Sequence, residues 1–376
     1  MESMEDYDAF ASTLLTSMDN TSVAVDGGGG NRGWSVSGIE NSVLVRTAYG
    51  LISFSGMAGN ALVCIVLLRL PALRTRTSQF IINLAVTDFV NSFWLIPFHL
   101  FPSVPPVPSG LSGELMCRVY ISKYIMWSSS ITSVYCLVSI TMERYFAVVH
   151  PLRYKVFFTP KLSFLIGAAC WGIGLLSTIF FFFIYAVVDG KCTLIPYPNV
   201  AHQMIVGVWI FTVIYGFPIA INLIWHGRII QSLKRQAKAI EANARGANDA
   251  QHPPIANVFN NHGNIRWQLK TAQDLQRTFF LVILVFMLCW APNQFLFLAY
   301  NLGADVDFTK QYYHFTVILA MCNSCVNPFI YVFKHKTFRR GIVRALRCTC
   351  VARPVHPYPT DQGHSTDGGG TAFSVA

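Results

Sequence analysis

The sequence predicts an all-α membrane protein, a seven-transmembrane helix bundle with a short amphipathic eighth helix. Apolar residues make up 53% of the 376 residues and charged residues only 12%, about half the charged share of an ordinary soluble domain. Seven runs are also apolar and long enough to cross a bilayer core, which needs about 20 such residues per helix. These runs are 43–69, 79–104, 115–148, 162–188, 200–231, 274–302 and 308–334.

The basic residues predict how the bundle is oriented. The formal net charge is +10, but Lys and Arg are not gathered on one soluble face, so we expect no nucleic-acid partner. They fall mainly between and after alternate apolar runs, as expected when cytosolic loops retain basic residues during insertion. The charged residues before residue 43 are mostly acidic. We therefore expect a multi-pass plasma-membrane protein with an extracellular N-terminus and a cytosolic C-terminus.

The apolar runs divide the chain into four regions. Residues 1–42 are expected to form a flexible extracellular tail, 43–334 the transmembrane domain, 335–347 an amphipathic helix in the membrane interface and 348–376 a cytosolic tail. Within the transmembrane domain, about 239–263 is rich in Ala, Asn, His, Gly and Pro and is predicted as a flexible cytosolic loop. The opening residues are polar, so we expect the first span, and not a cleaved signal peptide, to direct insertion.

Two features predict covalent modifications that agree with this orientation. Asn20 begins an N-glycosylation sequon, Asn20-Thr21-Ser22, in the outer tail. Cys348 and Cys350 follow the amphipathic helix, where S-acylation would anchor it to the bilayer. Free juxtamembrane thiols are the alternative for this pair.

Polar side chains inside the apolar runs are the first candidates for function, because a polar or ionisable group in a membrane helix is costly without a partner. They are Asn60, Asp88, Ser133, Asn323 and Asn327. Asp88 alone could be an ordinary hydrogen-bond acceptor between helices. With hydroxyl and amide partners, its oxygens could instead hold a Na⁺ ion. No other metal or cofactor is expected.

The cytosolic end of the third run carries Glu143-Arg144-Tyr145. Arg144 could simply extend its charge to the membrane surface. Alternatively, Glu143 pairs with Arg144 and is neutralised when the pair opens, which would make a lock with two states.

Two prolines interrupt the sixth and seventh runs. Pro292 follows Phe286 and Trp290, and Pro328 lies between Asn327 and Tyr331. A proline removes a backbone hydrogen bond and kinks a membrane helix. One such kink is usually static, but two kinks beside aromatic or polar residues favour a movable cytosolic end.

In the order of these motifs, the chain resembles the rhodopsin-like (class A) G-protein-coupled receptors. The residues that carry the resemblance are Gly59-Asn60, Asn83-Leu-Ala-Val-Thr-Asp88, Glu143-Arg144-Tyr145, Trp171, Pro218, Cys289-Trp290-Ala-Pro292, Asn327-Pro328-Phe-Ile-Tyr331 and Phe338. The resemblance implies that a ligand in an outer pocket moves Trp290 and Phe286 and opens the sixth helix. Arg144 then meets a heterotrimeric G protein, and arrestin and a receptor kinase are further expected partners.

Cys117 and Cys192 are the cysteines expected in the outer segments. In the oxidising extracellular compartment they are predicted to form a disulfide between the third helix and the second outer loop. Two free thiols are the alternative.

The chain departs from the family pattern at two places. Cys117 lies two residues further from Arg144 than the family spacing, which predicts either a bulge in the helix or a longer disulfide loop. His226 stands eight residues after Pro218, where the family has a Tyr. This replacement puts in doubt the water-bridged contact that the family makes with Tyr331.

The sequence excludes two ligand classes and favours a third. Tyr124 and Met126 occupy the positions where monoamine receptors carry an Asp, and Met321 stands where opsins carry the retinal Lys, so neither an amine nor retinal is expected. Pro97 and the motifs around Arg144 and Gln294 are similar to those of galanin-, somatostatin- and tachykinin-type peptide receptors. A small ligand that is not an amine remains the alternative.

A predicted ligand pocket gathers aromatic, amide and basic side chains near the outer helix ends, with Lys123 available for an anion. Its residues are Trp94, His99, Lys123, Tyr124, Met126, Trp127, His202, Gln294, Phe297, Tyr312, Tyr313 and His314. Each is equally compatible with bundle packing or an interfacial aromatic belt.

Three other classes of protein were weighed against a signalling receptor. A transporter or channel would show an internal repeat or helices interrupted at mid-membrane, and the sequence has no repeat. An enzyme would need clustered ligands or a nucleophile with its base, whereas Asp88 is the acidic residue predicted deep in the membrane; we expect no enzyme. A scavenger that binds ligand without signalling is disfavoured by Glu143-Arg144-Tyr145 and kept open by His226.

Overall fold

The fold is described from a computed structural model, which describes residues 42–101, 106–195, 197–249, 256–307, 310–334 and 336–346. Within these ranges seven helices are long and apolar enough to cross a membrane, which confirms the predicted bundle. Helices α1 to α4 are Val43–Arg69, Arg76–His99, Tyr124–Val149 and Pro160–Ser177. Helix α5 runs through Val200–Phe211, a π-helical segment Thr212–Gly216 and Phe217–Asp249. Helices α6 and α7 are Ala256–Asn301 and Gln311–Lys334. Asn20, Cys348 and Cys350 lie outside the described residues.

Helix α3 is the centre of the bundle. Its most apolar stretch is 72% buried inside the protein, against 28% for the span that contains α4. The core joins residues of α1 to α7 around α3, including Leu84, Met126, Phe286, Trp290 and Met321. A functional group on α3 can therefore contact several neighbouring helices at once.

The predicted amphipathic helix is present as α8, Lys336–Leu346. Phe338 is buried against Tyr331 and α1, whereas Arg339 and Arg340 are exposed. A Cβ atom on Gly341 would lie 3.1 Å from side-chain atoms of both Val66 and Leu70, so α8 packs closely on the cytosolic end of α1. The apolar and basic faces predicted from the sequence are confirmed.

The third apolar run is not one continuous helix. A short helix Leu111–Leu115 leads into a π-helical segment Met116–Ile121, and α3 begins only at Tyr124. Lys123, at the junction, has a left-handed backbone with φ of 60°. A π-helical turn contains an extra residue, so this segment and the break at Lys123 both lie within the long spacing between Cys117 and Arg144.

The fourth run was predicted to reach residue 188, but this end of it is a β-hairpin. Strand β1, Tyr185–Val188, pairs antiparallel with β2, Lys191–Leu194. Asp189 and Gly190 form the turn with φ of 49° and 72°. An Asp-Gly pair between β-forming residues is a strong hairpin signal, and the hydropathy of the run concealed it.

The predicted loop at about 239–263 is largely helical in the structure. Helix α5 continues to Asp249 and α6 begins at Ala256. The segment after Gln236 contains several Ala residues together with Lys238 and Glu241, and all three residue types are good helix formers. The sequence prediction was wrong here because Asn, Gly and Pro further along were taken to mark the whole segment.

A further short helix, Pro151–Phe157, connects α3 to α4; it was not predicted. His150 and Pro151 begin it, and Tyr154 is its buried residue. Tyr154 is thereby placed beneath the cytosolic end of α3.

Candidate functional site

Asp88 of α2 is the centre of a buried polar cluster in the middle of the bundle. The residue has 0% exposure. Its carboxylate accepts hydrogen bonds from Ser133 Oγ of α3 at 2.7 Å and from Asn327 Nδ2 of α7 at 2.8 Å. Three helices therefore meet at one carboxylate, and three of the residues that the sequence singled out lie together.

The cluster continues through Asn60, which was predicted, and through three side chains that the sequence analysis missed, Asn91, Ser130 and Ser324. Asn60 of α1 donates to the Ser324 carbonyl at 2.8 Å. Asn91 donates to Ser324 Oγ at 2.8 Å and accepts from Ser130 Oγ at 3.1 Å. Asn91 follows Asp88 by three positions and Ser324 precedes Asn327 by three. This helical spacing places each of them on the same face as a predicted residue, and it was the signal that could have found them.

Asn323 is the predicted member that joins no hydrogen bond in the cluster. It is buried, and its Oδ1 atom has no hydrogen-bond partner among the described residues. A buried amide oxygen normally has a partner. Together with the Asp88 carboxylate and the Ser133 hydroxyl, it supplies oxygen ligands of the kind that a hard cation prefers. The residues present therefore fit a Na⁺ ion.

Glu143 forms a second buried cluster at the cytosolic end of α3. Arg144 donates to it from Nε and Nη2, each at 2.5 Å. Thr77 of α2 donates to the same carboxylate at 3.2 Å and accepts from Arg144. Tyr154 adds a hydrogen bond to Glu143 Oε1 at 2.5 Å. We call these four residues the Glu143 clamp.

Tyr154 is held in the Glu143 clamp by the hydrogen bond from its hydroxyl and by a cation over its ring. Burial, together with the nearby Glu143 carboxylate, raises the pKa of the Tyr154 hydroxyl, so this group stays protonated and donates. The Arg76 guanidinium lies 5.1 Å from the centre of the Tyr154 ring, a cation–π distance. Tyr145, the third residue of the predicted motif, is not in the clamp; its hydroxyl lies 3.3 Å from His150 Nε2.

The part of α6 that precedes Pro292 lies in the core. Trp290 has 2% exposure and its ring centre is 6.2 Å from that of Phe286. Tyr215, in the π-helical segment of α5 just before Pro218, donates to the Met287 carbonyl at 3.1 Å. Helix α5 is thereby joined to α6 one turn before Pro292.

The part of α7 around Pro328 packs on α1 and α8. A Cβ atom on Gly59 would lie 2.9 Å from Pro328 Cγ, so Gly59 permits the close approach. The Tyr331 ring lies 6.3 Å from Phe338. Its hydroxyl is buried and has no hydrogen-bond partner among the described residues.

His226, the residue that departs from the family pattern, faces α6. It is hydrogen-bonded to Gln276 through Nδ1, and its ring centre lies 5.7 Å from that of Phe280. His226 and Gln276 are both buried. The cytosolic halves of α5 and α6 are therefore connected by a polar contact.

The outer end of the bundle is closed by the predicted disulfide. Cys117 and Cys192 are bonded, which joins the π-helical segment before α3 to strand β2. Glu114 forms an ion pair with Arg118 at 2.9 Å. The disulfide prediction and the predicted bulge between Cys117 and Arg144 are both present in the structure.

The predicted ligand-pocket residues do not all lie together. Trp94, Trp127, Phe297 and Tyr313 pack against the main core, which contains Met126, and Gln294 is buried with its Oε1 atom unpartnered among the described residues. His99 stacks on Tyr49 with ring centres 3.9 Å apart, and Lys123 lies over Phe98. The ring of Tyr313 lies beside that of His314, 5.6 Å between centres.

Three of the predicted pocket residues have other contacts. Tyr124 donates to the Leu175 carbonyl of α4 at 2.8 Å. His202 is exposed beside Asn199 in the first turn of α5. Tyr312 is 45% exposed and accepts from the Asp307 N–H at 2.8 Å. Their assignment to the ligand pocket stays a prediction.

A seven-helix bundle with a buried Asp, a cytosolic Glu–Arg pair, a proline inside each of α6 and α7 and an outer disulfide defines a heptahelical membrane receptor. The model of the family described as 7 transmembrane receptor (rhodopsin family) matches residues 59–331. The chain belongs to this family, whose members are signalling receptors, and the predicted receptor class is confirmed.

Curated relatives include peptide receptors. The chain is similar to somatostatin receptor type 4 of Rattus norvegicus, 28% identical over 84% of this chain and 75% of that protein. It is similar to somatostatin receptor type 5 of Rattus norvegicus, 28% identical over 84% of this chain and 83% of that protein. Galanin receptor 2b of Danio rerio is 25% identical over 82% of this chain and 76% of that protein.

Proposed function

We propose that the chain is a plasma-membrane receptor that binds an extracellular peptide at its outer end and activates a heterotrimeric G protein at its cytosolic end. The single observation that carries the proposal is the Glu143 clamp. It holds Arg144 at the cytosolic end of α3 through hydrogen bonds to Glu143 and Thr77, which Arg144 can exchange for contacts with a G protein. In this proposal the N-terminus of the chain is extracellular and its C-terminus is cytosolic, as the distribution of basic residues predicts.

The mechanism is a change in how the helices pack below the ligand. A ligand that presses on Trp290 favours a conformation in which α6 bends differently at Pro292. Separation of α5 from α6 opens a cytosolic cavity, and Arg144 leaves Glu143 to contact the G protein. A ligand shifts this equilibrium only by its difference in affinity for the two conformations.

Two observations support a peptide as the ligand. Relatives over most of the chain are named as somatostatin and galanin receptors. Met126, where an amine receptor of this family would carry an Asp, is buried and apolar. A small non-amine ligand is the alternative, and a peptide screen separates the two.

The test is a peptide-library screen on cells that express the full chain, read through several G-protein families. We expect at least one peptide to activate nucleotide exchange, and Arg144→Ala to abolish that response while surface expression persists. Arg153→Gln, which changes an exposed basic residue outside the Glu143 clamp, is the matched control. Peptide binding with no exchange in any G-protein family would instead indicate a scavenger.

The Asp88 cluster is proposed to bind Na⁺ as an allosteric ion. Asp88, Ser133 and Asn323 would hold it, and a bound cation there would stabilise the conformation in which α2, α3 and α7 meet at Asp88. We expect Na⁺ to weaken agonist binding relative to an organic cation at equal ionic strength. Asp88→Asn keeps the size of the side chain and should remove this difference. Equal sodium sensitivity in Asp88→Asn would contradict the site.

The remaining predicted interactions and modifications complete the proposal. Arrestin and a receptor kinase are proposed as partners of the cytosolic side. Glycosylation of Asn20 and S-acylation of Cys348 and Cys350 are proposed from the sequence. Glycosidase treatment and hydroxylamine-sensitive palmitate labelling are the measurements that test them.

A further inference from the structure

Four basic side chains gather at the outer ends of α1, α2, α3 and α7. They are Arg46, His99, Lys123 and His314, and we call them the basic outer pocket. Arg46 donates to the carbonyl of Leu100, the residue after His99, at 2.7 Å. Lys123 and His314 both lie close enough to His99 to interact with it electrostatically. Helices distant in sequence therefore bring basic side chains to one place.

His99 is held in a fixed orientation with one ring nitrogen unused. Its ring stacks on Tyr49 at 3.9 Å with 13° between the planes, and Tyr49 is 1% exposed. The buried Nε2 atom of His99 has no hydrogen-bond partner among the described residues. A buried nitrogen normally has a partner, so a bound group is expected to supply it.

Lys123 is placed by a strained backbone. It lies between the π-helical segment Met116–Ile121 and α3, with φ of 60° and ψ of 29°. A left-handed conformation is strained for a residue other than Gly, and such strain is concentrated at functional sites. The ammonium nitrogen lies 5.8 Å from the centre of the Phe98 ring. The break before α3 thus directs a cation towards the end of α2.

An aromatic wall borders this charge. Phe98 lies between Trp94 and Tyr120, with ring-centre distances of 5.7 Å and 5.0 Å. The Trp94 and Tyr120 rings are also 6.1 Å apart. Apolar surroundings strengthen a charge interaction because they exclude water, and the rings offer surface to an apolar group of a ligand.

We propose that the basic outer pocket is an anion-binding subsite for a carboxylate that the extracellular ligand carries next to an aromatic or apolar group. Lys123 supplies the charge, His99 donates a hydrogen bond, and Phe98 borders the apolar group. The inference deepens the proposed function, since it assigns the chemistry of one part of the ligand. Acidic side chains in residues 1–41 carry the same carboxylate chemistry and are the other possible source.

The test measures binding to the purified full-length chain in nanodiscs by its thermal unfolding. The probes are N-acetyl-L-tryptophan, which has a carboxylate, and its amide, which does not. We expect the acid to bind about 10- to 100-fold more tightly than the amide, as charge-assisted hydrogen bonds predict. Lys123→Gln and His99→Phe should each reduce this preference, and His99→Phe keeps a ring to stack on Tyr49.

Control variants and a chain with a shortened N-terminal tail separate the subsite from other causes of acid binding. Lys310→Gln removes an exposed lysine paired with Asp307 at 3.5 Å and should keep the preference for the acid. Lys123→Asn replaces Lys123→Gln if the latter fails to fold, because Asn tolerates the left-handed conformation. A chain without residues 2–36 tests whether the carboxylate comes from the N-terminal tail. Tighter binding of the acid after this deletion would support the subsite and would mean that the tail competes for it.

Equal binding of acid and amide in both chains would overturn the proposal. So would a preference for the acid that persists unchanged in both Lys123→Gln and His99→Phe. The measurement involves no G protein, so failure of the subsite and failure of coupling to a G protein are separate results.

Discussion

Glu143 shows at the scale of one residue how a buried charge can act as a switch. Its carboxylate is fully buried and is satisfied by Arg144, Thr77 and Tyr154. Removing a single partner from a buried ion pair is strongly destabilising, because a charge is left uncompensated. The pair with Arg144 was predicted from adjacency in the sequence. Thr77 and Tyr154 could not be, because only the packing of α2 and of an unpredicted short helix brings them there.

The Tyr154 hydroxyl is expected to restrain basal activity. Tyr154→Phe removes its hydrogen bond to Glu143 and keeps the ring against Arg76. A hydrogen bond to a charged group contributes about 1.5–3 kcal/mol, so loss of this one should raise ligand-independent nucleotide exchange several-fold. The measurement is GTPγS binding to membranes at equal receptor levels.

Arg153→Gln provides the control for that variant. Arg153 lies on the same short helix and is exposed, so its basal exchange should match that of the wild type. A basal rate in Tyr154→Phe no higher than in Arg153→Gln would show that the hydroxyl is only structural.

At the scale of the element, hydropathy predicted the helices but not their internal breaks. The runs located α1 to α7, since a membrane span requires a long apolar stretch whatever its neighbours. The same criterion treated the π-helical segment before Lys123 and the hairpin after α4 as helix. Such local changes of the backbone leave the hydropathy of a run nearly unchanged. The available signal for the π-helical segment was the spacing between Cys117 and Arg144. The available signal for the hairpin was the Asp189-Gly190 pair.

Gly174 determines how closely α4 approaches α3. A Cβ atom there would lie 2.5 Å from the Ser128 carbonyl oxygen, so Gly174→Ala must push the helices apart. Overpacking typically costs about 1–3 kcal/mol. We expect the purified protein to unfold at a temperature several degrees lower, as measured by thiol-reactive dye fluorescence.

Gly172 is the matched control on the same helix. A Cβ atom at Gly172 would have no neighbouring atom within 4 Å. Gly172→Ala should therefore leave the unfolding temperature unchanged or raise it slightly, because Ala favours a helix over Gly. If both substitutions lowered it equally, the close approach of α4 to α3 at Gly174 would not be the cause.

The contact between His226 and Gln276 is expected to hold α5 and α6 together in the inactive state. His226→Phe and Gln276→Leu each remove it and should raise basal nucleotide exchange. Because the two residues act through one contact, the double variant should exceed neither single variant. Additive increases in the double variant would show that the residues act independently.

At the scale of the whole molecule, one axis connects the two ends of the receptor. The outer disulfide holds the entry to α3, Asp88 joins α2, α3 and α7 at mid-membrane, and the Glu143 clamp closes the cytosolic end of α3. The sequence predicted part of this axis: Asp88 from its polar position in an apolar run, Glu143 and Arg144 from their adjacency, and the disulfide from the outer-segment cysteines. It could not predict the outer pocket to the same extent, because the directions of side chains there depend on the break before α3.

The central claim is that these buried polar groups and the two proline-broken helices form one movable unit. Its most direct test is GDP release from a purified heterotrimer by the purified full-length receptor in nanodiscs, with and without an activating peptide. The account predicts that the peptide accelerates release and that Arg144→Ala abolishes the acceleration without loss of peptide binding. Undiminished acceleration by the Arg144→Ala receptor would contradict it.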